Sequence, residues 1–248
     1  MAATVSIKQA DPKQAAAEVL AGRPGQHARA WLGPLTVGLA VAFIAVSVAV
    51  GIGQSNGMLL PIDLPVTVAI QAFNWGPVTY IFQAINLSAG LYQGALGVII
   101  IVALFIWERR AGYLMVLSAA SSLFDNLIKI GMARPRPGVD LVHILVPATG
   151  WSYPSGHVVF FTWVATMVAF ALAPHVSKRW RLGLWIAAAV IIVLTMLARV
   201  WAGDHWPSDV LGGFLLGFGW SAFVMWLPER WLPSPKFGWF AGRQPKPA

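Results

Sequence analysis

The chain has 248 residues, 58% of them hydrophobic and 10% charged, and a formal charge of +8 from 17 Lys and Arg against 9 Asp and Glu. A water-soluble domain carries about a quarter charged residues, so a soluble enzyme is nearly excluded, and the basic excess reads as an orientation signal rather than a nucleic-acid footprint. With no cysteine, disulfides, thiolate chemistry and cysteine-ligated metals are excluded as well.

A hydrocarbon core of ~30 Å needs about 20 apolar helical residues, and six runs of the sequence suit it. A polar lead-in precedes them. Its Asp11-Pro12 pair predicts the cap and first turn of a short helix that Gly22 ends, and its mixed charge argues against a cleaved signal peptide. The first span is Trp31 to Gly53. From Leu64 to Trp107 there is no charge, but Thr67, Gln71 and Asn74 fall at i, i+4 and i+7, Pro77 interrupts, and Thr79, Gln83 and Asn86 repeat the spacing. That pattern predicts two short amphipathic helices lying in the interface, which leaves Leu91 to Trp107 as the second span. The third, Ala111 to Met132, contains Asp125 and Lys129. Gly156 to Ala173, Leu182 to Val200 and Val210 to Leu227 complete the set. The expected fold is an all-α polytopic membrane protein: a cytoplasmic segment over 1–30, a six-helix transmembrane domain over 31–227 with short interfacial helices between spans one and two, and a basic cytoplasmic tail over 228–248. Trp31, Trp107, Trp180, Trp185, Trp226 and Trp231 lie at the ends of these runs, as an aromatic belt requires.

Alternating six spans puts thirteen of the seventeen Lys and Arg on the face that holds both termini, which the positive-inside rule makes cytoplasmic. The other four, Lys129, Arg134, Arg136 and Arg199, lie at the opposite face, against the rule. An ionisable group near a membrane is costly unless paired or wetted, so four on one face point to function.

Three segments meet there. Lys129 to Pro137 ends span three with two X-Pro steps that make a stiff extended exit, and its Arg forks and Lys charge suit phosphate. Pro154-Ser155-Gly156-His157 starts span four, where unpaired N–H groups of Ser155, Gly156 and His157 at the positive end of the helix favour an anion. Ala198 to Asp209 joins spans five and six. In it His205 and Asp209 stand four residues apart, a base with a carboxylate to fix its tautomer and leave the other ring nitrogen as a nucleophile. Two histidines, a carboxylate and four cations around an anion pocket describe phosphoryl chemistry.

These motifs resemble those of the type 2 phosphatidic acid phosphatase superfamily, the membrane lipid phosphate phosphatases: Lys-x6-Arg-Pro at Lys129 to Pro137, Pro-Ser-Gly-His at Pro154 to His157, and Ser-Arg-x5-His-x3-Asp at Ala198 to Asp209. The one departure is Ala198 in place of the usual Ser. The resemblance, over roughly Leu91 to Leu227, implies a metal-independent hydrolysis of a lipid phosphate through a phosphohistidine intermediate, with no cofactor. His205 would be the nucleophile, Asp209 its orienter and His157 the acid for the leaving oxygen, with Lys129, Arg136, Ser155, Gly156 and Arg199 holding the phosphoryl group. Arg134 lies outside the pattern and is a candidate contact for a second phosphate or a headgroup. The expected substrates are an isoprenoid diphosphate such as undecaprenyl diphosphate, phosphatidic acid, phosphatidylglycerophosphate or a lipid A phosphate. The expected site faces the periplasm or exterior of a cytoplasmic membrane, with lipids as partners and no nucleic acid. A lipid phosphotransferase using the same intermediate is the alternative, and a transporter is disfavoured because the cations sit at one end of the bundle. The related vanadium haloperoxidases are soluble, unlike this composition. Oligomeric state leaves no mark on the sequence.

Overall fold

The computed structural model describes residues 24–53 and 59–227, with side chains from Thr36 onward. Among these residues the chain is all helix and loop: α1 (Pro24–Ile52), α2 (Asp63–Ala72), α3 (Val78–Leu87), α4 (Leu91–Trp107), α5 (Arg109–Met132), α6 (Gly156–Leu172), α7 (Lys178–Trp201) and α8 (Pro207–Trp226). A 3₁₀ turn, Ala173–His175, extends α6.

The helices α6 and α8 form the centre of the bundle and are buried along most of their length. α1 packs on α8, α5 and α7 flank the central pair, and α4 packs outside α5. The core is apolar and aromatic, with Met115, Val159, Trp163, Met167 and Leu216 all close to full burial. Around it, Val98, Ile99, Val102 and Ile106 of α4, Leu123, Leu127 and Ile130 of α5, and Ile186, Val190 and Val193 of α7 are exposed, the surface a lipid-facing bundle requires. Lipid provides no hydrophobic drive between helices, so close backbone approach through small residues matters more than in water. On α8, Gly213 and Gly217 supply it: a Cβ there would stand 2.7 Å from the Ser155 carbonyl oxygen and 2.9 Å from that of Val159.

Among the described residues four helices are long and apolar enough to cross a membrane: α5, α6 with its extension, α7 and α8. The expected second span is the 17-residue α4, which reaches that standard only when joined to α3 across an 88° bend. The apolar part of α1, Thr36–Ile52, is shorter. The short helix expected near Asp11 and Pro12 and the tail from Pro228 lie outside the described residues.

Two short helices do follow α1, but three of the six stripe residues face inward. Thr67 is buried with its hydroxyl donating to the Asp63 carbonyl at 2.7 Å. Gln71 clasps His143 from both ends, donating to its carbonyl at 2.7 Å and accepting from its N–H at 3.1 Å. Asn86 is buried against the end of α7. Val66, Phe73, Tyr80 and Leu87 are exposed, and so are the polar Asn74 and Gln83. Thus Thr67, Gln71 and Asn86 face inward, toward α7 and the loop after α5, while the outer side of α2 and α3 mixes apolar and polar groups.

Candidate active site

The three motif segments converge at one end of the bundle. Lys129, in the last turn of α5, pairs with Asp125 at 2.6 Å and donates to the Pro154 carbonyl, which ties the first motif to the second. Ala133 then takes the left-handed conformation (φ 46°, ψ 34°) and ends the helix. Arg136 is held from both sides: its Nε donates to the Gly150 carbonyl at 3.1 Å, its Nη2 to the Thr149 carbonyl at 3.1 Å, and its Nη1 to both the carbonyl and Oδ1 of Asp204 at 2.8 Å.

Ser155 caps α6 in an extended conformation. Its own N–H donates to the Asp209 carbonyl at 3.1 Å, so it is not one of the unpaired donors expected at this terminus. Those of Gly156 and His157 remain in the first turn, with no preceding turn to bond. Before it, Tyr153 is buried between α1 and α8 with its hydroxyl donating to the Ser47 carbonyl, and burial pushes its phenol up to about 12. Ser155 Oγ and His157 Nε2 are buried with no hydrogen-bond partner among the described residues.

Between α7 and α8 the chain reverses at Gly203 (φ 73°), where any side chain would strike the His143 carbonyl. Arg199 leaves α7 bonded to Asn86 Oδ1 of α3 and ion-paired with Asp204. Asp204 therefore joins Arg136 and Arg199 in one cluster. The next residue, His205, has its Nε2 3.3 Å from Arg136 Nη1. Arginine can only donate, so this contact requires a lone pair on Nε2 and puts the proton on Nδ1. That nitrogen faces Asp209 Oδ2 at 3.6 Å, longer than a hydrogen bond. Burial holds the His205 imidazole well below its ordinary value, and the charges of Arg199, Arg136 and Lys129 lower it further. Asp209 is wholly buried. Its Oδ2 accepts from the Trp206 N–H at 2.8 Å and from Ser152 Oγ, and its Oδ1 from Arg134.

A cavity of about 840 Å³ is lined by Lys129, Arg136, Gly156, His157, Arg199 and His205. It continues between α4 and α5 past Gly94, Gly97, Val98 and Ile101 on one side and Ala119 and Ser122 on the other. At its polar end three cations and the first turn of α6 surround an unprotonated imidazole nitrogen, an arrangement suited to binding a phosphoryl group and attacking it. Among the described residues no three His, Asp or Glu side chains are grouped as a metal ion would need.

Of the expected site residues, Lys129, Arg136, Gly156, His157, Arg199 and His205 share this cavity, Ser155 caps the helix that borders it, and Asp209 supports it from behind. Arg134 is a correction. Expected to meet a second phosphate or a headgroup, it is wholly buried and its guanidinium lies between Asp63 and Asp209. Sequence reasoning missed Asp63, Asn86, Ser152 and Asp204. Asp63 carries a signal, as the last charge before a long uncharged stretch, and Asn86 stands out in the sequence only as a stripe residue; Ser152 carries none.

The sequence profile of the PAP2 superfamily matches residues 110–233. An undecaprenyl-diphosphatase of Sulfolobus acidocaldarius is 32% identical over 128 residues, 50% of this chain and 58% of that protein. Phosphatidylglycerophosphatase B of Bacillus subtilis is 35% identical over 138 residues, 53% of this chain and 66% of that protein. The chain thus spans less than two thirds of the length of either. A crystal structure of a transmembrane PAP2 type phosphatidylglycerolphosphate phosphatase from Bacillus subtilis superposes with a TM-score of 0.64 at 25% identity, covering 75% of this chain and 94% of that one.

Proposed function

The chain belongs to the PAP2 superfamily, and we propose from that membership and the geometry of its cavity that it is an integral-membrane lipid phosphatase working through a phosphohistidine on His205, without a metal ion. The observation that carries this reading is one cavity holding the Nε2 lone pair of His205, the imidazole of His157 and the cations Lys129, Arg136 and Arg199.

In the first step the phosphoryl oxygens lie among the three cations, Ser155 and the Gly156 N–H. His205 Nε2 attacks phosphorus, a P–N bond forms, and the P–O bond to the lipid or to its inner phosphate breaks. The departing oxygen takes a proton from His157 in its protonated form. The positive charge that develops on the His205 ring is stabilised by the Asp209 carboxylate facing Nδ1. In the second step water attacks phosphorus and gives a proton to His157, the P–N bond breaks, and inorganic phosphate leaves with His205 restored.

The substrate class is a lipid with a terminal phosphate, an isoprenoid diphosphate or a phosphatidylglycerophosphate first, as the relatives' names support. Its tail lies in the part of the cavity between α4 and α5. The full topology is six spans with α2 and α3 in the outer interface, both termini on the cytoplasmic side of the inner membrane and the site on the opposite side, as the distribution of Lys and Arg supports.

Inorganic phosphate released by the purified full chain in detergent micelles, from isoprenoid diphosphate, phosphatidylglycerophosphate and phosphatidic acid with EDTA present, tests this. Turnover persists in EDTA and falls about a thousandfold in His205→Gln. Wild-type turnover by His205→Gln, or loss in EDTA restored by a divalent ion, sinks the reading.

A further inference from the structure

Behind His205 lies a buried ionic array of which the reaction scheme uses only Asp209. Asp63, from the start of α2, and Arg134, just beyond α5, are both fully shielded from solvent, as are Ser208 and Asp209. Arg134 Nη2 donates to Asp63 Oδ2 at 2.8 Å, and its Nη1 reaches Asp209 Oδ1 and, at 2.8 Å, Ser208 Oγ. Asp63 is itself saturated. Its Oδ2 also accepts from Leu60 N–H at 3.0 Å and Ser208 Oγ at 2.8 Å, and its Oδ1 from Ser208 N–H at 3.0 Å.

A carboxylate this deeply buried stays ionised only if its charge is matched and its lone pairs are occupied. One guanidinium shared by two carboxylates leaves a net single negative charge on the array. Arg134 occupies Oδ1 of Asp209, while Oδ2 is the oxygen nearest His205 Nδ1. The array therefore fixes which Asp209 oxygen meets the imidazole and leaves negative charge where the ring becomes positive.

We infer that Arg134 and Asp63 are positioning residues that act through Asp209 to orient His205, so that the short helix α2 is part of the apparatus supporting the nucleophile. This rests on the phosphohistidine reading above. Neither residue lines the phosphate cavity, so their loss changes the chemical step and spares phosphate binding. The charged and titratable groups around Asp209 are Arg134, His205, Lys129, Arg136 and Tyr153, with Asp63 reaching it through Arg134.

The test compares wild type, Arg134→Gln, Arg134→Lys, Asp63→Asn and the Asp63→Asn/Arg134→Gln double variant as purified full chains in micelles. Three quantities are read: kcat, KM for the lipid phosphate, and the inhibition constant of inorganic phosphate. The expected result is a kcat about a hundredfold lower in Arg134→Gln, with KM and the phosphate inhibition constant within about twofold of wild type, because Lys129, Arg136 and Arg199 are untouched. Arg134→Lys recovers part of the loss. Asp63→Asn lowers kcat alone but adds nothing in the Arg134→Gln background, since it acts through the same guanidinium. If Arg134→Gln is not recovered folded, Asp63→Asn decides in the same way. Wild-type kcat in the folded single variants overturns the inference, as does a loss shared equally by kcat and phosphate affinity. His205→Gln is the control that separates the two readings: if it is inactive while Arg134→Gln is unimpaired, the positioning role fails and the phosphohistidine stands; if it is fully active, the reaction scheme itself fails.

Discussion

His205 sits where an imidazole is hard to charge. It is buried, and the neighbouring Arg199, Arg136 and Lys129 add to that cost. In the unfolded chain the same residue binds a proton below its ordinary value of about 6.5, so the unfolded state holds more protons there and stability falls as pH drops through that value. Above about pH 6.5 the penalty is absent. Below it, each pH unit costs up to ~1.4 kcal/mol until the folded protein also takes the proton. Thermal unfolding of detergent-solubilised wild type and His205→Gln between pH 7.5 and 5.0 checks this: the wild type loses more stability than the variant on acidification, and parallel losses would contradict it. At this scale the sequence was informative about chemical identity and poor about partners. The imidazoles, Lys129, Arg136 and Arg199 were legible because charged side chains are rare in this chain and fall in motifs of fixed spacing. Arg134 was legible as an unusual cation, but its two carboxylates come from positions 63 and 209, and no local pattern announces a contact across 71 or 75 residues.

At the scale of helices, apolar runs marked every long element, and the observed helices extend beyond several of those runs into polar ends. α7 begins at Lys178, four residues before the apolar run, and reaches Trp201. Hydropathy detects what lipid must cover, whereas hydrogen bonding continues until a turn residue stops it. The short helices were found by their 3–4 residue spacing of polar groups, but spacing gives a stripe and not what the stripe faces. Gln71 and Asn86 turn inward because loop carbonyls and Arg199 await them there. The seam between α6 and α8 carries a direct prediction. Gly217→Ala brings a methyl group to 2.9 Å from the Val159 carbonyl oxygen and 3.0 Å from Thr162 Cβ, and neither belongs to a flexible chain end. A cost of ~1–3 kcal/mol is expected from such overpacking, together with lower turnover, because α6 carries His157 and α8 carries Asp209. Gly183→Ala on α7, where nothing lies within 4 Å of the added carbon, is the control, with unfolding temperature unchanged or raised. Equal behaviour of the two variants in a thermal melt would contradict the close-packed seam.

Taken as one object, the protein concentrates its chemistry at a single end, with the charged cluster closed by α2, α3 and the loop after α5, and the apolar arm of the cavity running down between α4 and α5. The sequence located that end through four cations on one face. It gave no sign of the arm, which is made of Gly94, Gly97, Ala119 and similar residues that read as ordinary span composition. The arm has a kinetic consequence. A lipid whose tail never leaves the apolar phase meets this site by moving within a film, so the concentration that sets the rate is its mole fraction among amphiphiles and not its amount per litre. Adding detergent at constant substrate per litre should slow hydrolysis in proportion to that mole fraction, while a short-chain, water-soluble phosphate ester turns over at a rate indifferent to added micelles. Equal insensitivity of both substrates would mean that the lipid reaches His205 through water, and that the space between α4 and α5 has no part in its arrival.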